Sequence, residues 1–109
     1  MIELTKAQKK AARILIDRAL QRECERFLLD VKRLVDTPLQ EDSPHKRYLE
    51  LYKKIDRFDH QIGETYDGLG GSRYFITVVG LYCRDVLTEE EIGLMGDELK
   101  AKIMAIRDL

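Results

Sequence analysis

Apolar and polar residues recur with a helical period along most of the chain, and four segments stand out. The first opens at Thr5-Lys6-Ala7-Gln8, which has capping-box form, and meets no Gly or Pro before Pro38. This predicts a helix of about 30 residues, ~45 Å long. Its apolar stripe is discontinuous. Ala7, Ala11, Ile14 and Leu15 share one side, while Leu20, Cys24, Phe27, Leu28, Val31, Leu34 and Val35 lie roughly 150° away on a straight wheel. One neighbour cannot cover both stripes. Either the helix bends near Asp17 and Arg18, or its N-terminal half packs on the chain's own last helix or on a second copy.

Ser43-Pro44 opens the second segment with a side-chain cap and a proline at the first helical position. Tyr48, Leu51, Tyr52, Ile55, Phe58 and Ile62 fall on one side of it, and charged residues on the other. It ends near Tyr66, before the glycines at 68, 70 and 71. Ser72 is then the expected N-cap of a third helix over residues 73–87. Apolar side chains cover that helix everywhere except a narrow stripe of Arg73, Thr77, Gly80 and Arg84. Its Tyr-Phe-Ile-Thr-Val-Val composition also suits a strand, but no other stretch offers a strand to pair with. The last segment opens at Thr88-Glu89-Glu90-Glu91, a second capping box. It places Ile92, Met95, Leu99, Ile103 and Ile106 on one stripe, with Leu94, Ala101 and Ala105 nearly opposite. The expected fold is all-α: a four-helix bundle-like single domain over residues 1–109, with a long first helix and a central apolar third helix.

Composition narrows the function classes. Charged residues make up 36% and hydrophobic residues 44%, a globular balance. A net charge of −1 does not favour nucleic acid as a partner, no run is long enough to span a bilayer, and the N-terminus lacks a secretory layout. Cys24 and Cys83, both on apolar stripes, read as buried reduced thiols of a cytoplasmic protein. Through Asp36 the chain carries nine basic and six acidic residues, leaving −4 for the remainder. Arg13 with Asp17, Arg22 with Glu25, Arg26 with Asp30 and Arg33 with Asp36 stand at pairing distance, so a solvated, self-paired face is expected.

Candidate chemistry is sparse. Asp56, His60 and Glu64 follow at steps of four on the second segment, and imidazole with carboxylates at that spacing suits a borderline metal. The competing reading is a solvated charged face. Gly70, Gly71, Ser72 and Arg73, with Arg84 on the same stripe, offer glycines, a hydroxyl and guanidinium groups at a helix start, the ingredients of an anion cradle. The loop lacks the Gly-Lys-Ser/Thr ending of a P-loop, and helix termination explains its glycines equally well. A ligand pocket in such a bundle would be bordered by Tyr48, Tyr52, Tyr66, Arg73, Tyr74 and Arg84. No catalytic nucleophile and no cofactor are implied. The sequence therefore points to a small cytoplasmic interaction or scaffold protein that pairs with itself, a homodimer meeting through Ala7, Ala11, Ile14 and Leu15. A bundle binding a small anionic ligand or a metal is the alternative.

Overall fold

Three of the four expected helix-start signals are hydrogen-bonded as their sequences require in the structure, a computed structural model describing residues 2–109. Thr5 N–H donates to Gln8 Oε1 at 2.8 Å and Gln8 N–H to Thr5 Oγ1 at 3.1 Å, opening α1 (Lys6–Asp36). Ser43 Oγ accepts from Lys46 N–H at 3.1 Å, and Pro44 occupies the first turn of α2 (Pro44–Tyr66). Thr88 and Glu91 exchange bonds of 3.0 and 3.1 Å across the first turn of α4 (Glu89–Ile92). Tyr74–Cys83 is a helix, α3, preceded by a 3₁₀ turn at Gly71–Arg73. A second 3₁₀ turn, Gly93–Met95, and α5 (Asp97–Arg107) complete the chain. Among the described residues there are five α-helices and no strand, so the protein is all-α. No helix among them is long and apolar enough to cross a membrane.

Three details differ from expectation. The last segment is broken instead of continuous, because Gly96 adopts φ +94°, ψ 156°, a conformation that only glycine takes without strain. α3 stops at Cys83, where Asp85 turns at φ +60°, and Val86 and Leu87 enter the core from the following loop. Ser72 is not the cap foreseen for it, since neither the 3₁₀ turn nor α3 has a side-chain cap.

The chain divides into two compact units, residues 2–22 with 68–109, and residues 23–67. This division accounts for the displaced stripe of α1, whose two halves are apolar toward different neighbours. In the first unit Ala12, Leu15, Ile16 and Ala19 of α1 are buried, together with Val78, Val79, Leu81 and Tyr82 of α3 and Leu99 and Ile103 of α5. The N-terminal half of α1 thus serves the chain's own core. Leu15, expected at an interface between copies, is wholly buried there and leaves no surface to offer.

Polar clamps close this first unit. Arg22 forks onto Glu91 at 2.7 and 3.1 Å and also donates to the Val86 carbonyl at 2.6 Å, while Arg18 adds a third bond to Glu91 at 3.2 Å. The Glu91 carboxyl is held at about 2, below its ordinary 4.5, chiefly by the Arg22 hydrogen bonds. From α5, Arg107 donates to the Tyr82 carbonyl at 3.0 Å and to Asp85 at 2.6 Å, and lies over the Tyr82 ring. α3 is less enclosed than its composition suggests. Ile76 is 68% exposed and Cys83 is also open to solvent.

Candidate interaction surface

Residues 23–67 form a helical hairpin: the end of α1, a seven-residue connection and α2. Three contacts show the helices running antiparallel. Tyr66 Oη donates to Glu23 at 3.2 Å, the Phe27 and Phe58 rings stack with centroids 3.9 Å apart, and Arg47 lies at the turn. Arg47 donates to the carbonyls of Leu34, Thr37 and Pro38 at 2.6, 2.7 and 3.3 Å, satisfying acceptors that the end of α1 leaves open. The seam between the helices contains half-buried Phe27, Val31 and Leu34 of α1, and Arg47, Leu51, Phe58 and Ile62 of α2.

No residue of the hairpin is buried. All fifteen buried hydrophobic side chains among the described residues lie at positions 4–19 and 78–103. Eight large apolar groups remain in water instead: Leu29 at 49%, Leu49 at 40% and Leu39 at 37%, and a set of five, Leu28 at 65% exposure, Tyr48 and Tyr52 at 61%, Val35 at 57% and Ile55 at 47%. Winding each helix at ~100° per residue from the seam places all five on one broad side of the hairpin. Because the helices run in opposite directions, a turn of the same sense leads to the same side in both. The opposite side carries Arg26, Asp30 and Arg33 from α1 and Glu50, Lys53, Arg57 and Glu64 from α2, all exposed.

Spacing makes the exposed apolar side more specific than a patch. Cys24, Leu28, Val31 and Val35 follow at steps of four, three and four, as do Tyr48, Tyr52, Ile55, Asp59, Ile62 and Tyr66 at alternating four and three. This is the spacing of a second packing seam beside the one that joins α1 to α2, sharing Val31 and Ile62 with it and interrupted by the exposed Asp59. A helix with two adjacent seams is built to touch two neighbours, as in a bundle. Within the hairpin each helix has one.

The other candidate residues take separate places. Asp56, His60 and Glu64 lie on the outer, exposed back of α2. His60 Nδ1 bonds the Asp56 carbonyl at 2.8 Å, and that bond, with the nearby Asp56 carboxylate, raises the imidazole pKa above 6.5. Among the described residues no three His, Cys, Asp or Glu side chains are gathered as a metal site. Gly71 and Ser72 border a shallow open depression of about 320 Å³ with Ile2, Glu3, Leu4 and Lys9. The Lys9 side chain lies across Gly71, so that a Cβ there would approach its Cε to 3.3 Å. Gly70, Arg73 and Arg84 are exposed and do not line that depression, and Arg73 and Arg84 stand at opposite ends of α3. Tyr48 and Tyr52 are exposed on the hairpin, Tyr66 is engaged with Glu23, and Tyr74 accepts a bond from Arg13 Nε at 3.2 Å. Ala7 and Ile14 are exposed and Ala11 is half-buried. Cys24 and Cys83 are free thiols, but half-buried and exposed respectively, not buried as expected. Comparison with protein-family models, curated proteins and solved structures gave no match.

Proposed function

We propose that the protein is a helical interaction module: residues 2–22 and 68–109 form the packed unit, and the hairpin of residues 23–67 presents a docking face. One observation carries this reading. An antiparallel helix pair with no buried residue nevertheless bears five large apolar side chains on a single side, at the spacing of an unused packing seam. Helices in proteins draw most of their stability from covering such a face. A two-helix unit of this size also has too little core to stand on its own burial. The surface lost by docking is apolar and ridged, which suits the face of another helix or helix pair. The free thiols are compatible with the reducing cytoplasmic setting that the sequence suggests.

Amide exchange on the dilute chain tests this. Without a partner, α2 should exchange much faster than α3 and α5, whose flanking side chains are buried. Protection of α2 equal to that of α3 under those conditions would show a hairpin that needs no cover.

A further inference from the structure

We infer that the docking face of the hairpin is covered by the same face of a second copy, the two chains related by a two-fold axis passing near Leu28 and Ile55. This rests on the docking reading above and names its partner.

Area comes first. Leu28, Val35, Tyr48, Tyr52 and Ile55 expose roughly 550 Å² per chain, so burying them on each other removes roughly 1,100 Å² before any rim residue is counted. That falls just short of the ~1,200 Å² at which stable interfaces begin, and rim residues supply the remainder. The pairing also repairs the deficit in each hairpin. Four helices stacked as two antiparallel pairs enclose both seams of every helix, and the half-buried Phe27, Val31, Phe58 and Ile62 become core.

Charge then selects the arrangement. The α1 edge of the face carries Glu25 three residues before Leu28, Lys32 four residues after it and Asp36 one turn further on. When α1 crosses its own copy antiparallel at Leu28, Lys32 of each chain meets Glu25 of the other, giving two symmetric ion pairs. Lys32 already bonds Asp36 at 2.6 Å, one turn on, and its ammonium has further protons to share. The same two-fold brings Tyr52 about level with Asp59 of the second copy, a phenol donor opposite a carboxylate. Stacking α1 over the copy's α2 would instead set Glu25 against Asp59, acid against acid. The surface is self-complementary in the first arrangement only.

Sedimentation equilibrium of the full chain from about 1 to 100 µM, with amide exchange on the same samples, tests the inference. The wild type should sediment as a dimer at the upper concentrations, with α2 gaining protection as the dimer forms. Glu25→Lys and Lys32→Glu should each weaken the dimer about tenfold or more, and the double reversal should restore most of the loss. Tyr52→Asp should give a folded monomer. A wild type monomeric throughout overturns the second-copy assignment. Fast exchange in α2 of that monomer leaves the docking reading standing, and slow exchange removes both. A dimer indifferent to Tyr52→Asp and to the charge reversals meets somewhere else and overturns the inference.

Discussion

Replacing Glu91 by Gln removes one negative charge from the point where α4 is tied to α1. The carboxylate accepts two bonds from Arg22, one from Arg18 and one from the Thr88 N–H, and its side chain is only 12% exposed. A carboxyl lowered from 4.5 to about 2 corresponds to an upper limit of about 3 kcal/mol. Arg18 and Arg22 are 46% and 32% exposed, so water screens the attraction. After that discount about 1–2 kcal/mol remains. Glutamine keeps an acceptor for Thr88, which preserves part of the capping box. The sign follows from a depressed folded-state pKa: the contribution is complete above 4.5 and disappears as pH falls toward 2. Urea unfolding followed by circular dichroism should therefore find Glu91→Gln less stable than the wild type by about 1–2 kcal/mol at pH 7, with the gap closing between pH 4.5 and 2. A gap below about 0.5 kcal/mol at pH 7, or one constant with pH, would refute the clamp.

Arg47→Ala should loosen the hairpin turn by about 1–3 kcal/mol, since three carbonyls lose a charged donor, and amide exchange at residues 34–37 should rise before that of α3. Gly96→Ala, at φ +94°, should cost about 1–3 kcal/mol in thermal or urea unfolding although nothing lies within 4 Å of the added carbon. Ile103→Ala, in the sealed part of the core, should lose about 2–5 kcal/mol. Ile76→Ser, on the open side of α3, should change stability by less than about 0.5 kcal/mol in the same assay. A large Ile76 effect would show that α3 is covered on that side.

Local signals were the legible part of the fold. Thr5, Ser43 and Thr88 cap their helices because a hydroxyl three residues before an unpaired N–H is a short-range arrangement that neighbours scarcely alter. The apolar run from Tyr74 coils as its lack of a strand partner suggested. Long-range pairings were hidden. Arg22 stands three residues from Glu25 in sequence, yet its guanidinium reaches Glu91, and nothing local distinguishes the two acids. Arg33 forms an ion pair with Asp30 at 3.6 Å, while Asp36 takes Lys32. The Gly96 break could have been suspected, since a glycine nine residues into the last segment weakens any continuous helix there.

The candidate surface was legible in one half only. Tyr48, Tyr52 and Ile55 were assigned to the apolar side of their helix, but that side is wide enough for two neighbours, and α1 covers only the Leu51–Phe58–Ile62 part. Counting the four-three steps twice along each helix would have revealed the second seam. The displaced stripe of α1 did signal two sets of neighbours. Of Ala7, Ala11, Ile14 and Leu15, expected at a contact between copies, Leu15 is buried in the chain's own core, because sequence alone cannot tell which of two stripes the chain buries in itself. By sequence Arg47 falls on the charged side of α2, yet the end of α1 lacks a capping glycine and leaves carbonyls for a nearby donor to satisfy.

Disulfide trapping at Leu28 examines the contact between copies most directly. In a chain with Cys24→Ala and Cys83→Ala, the proposed two-fold would set Leu28→Cys beside its own counterpart, within the ~4.4–6.8 Å Cα separation that a disulfide requires. Mild oxidation should convert Leu28→Cys into a covalent dimer rapidly, while Ile14→Cys, also exposed but outside the hairpin, should stay monomeric. Equal rates at the two positions, or no crosslink at Leu28→Cys, would contradict the account.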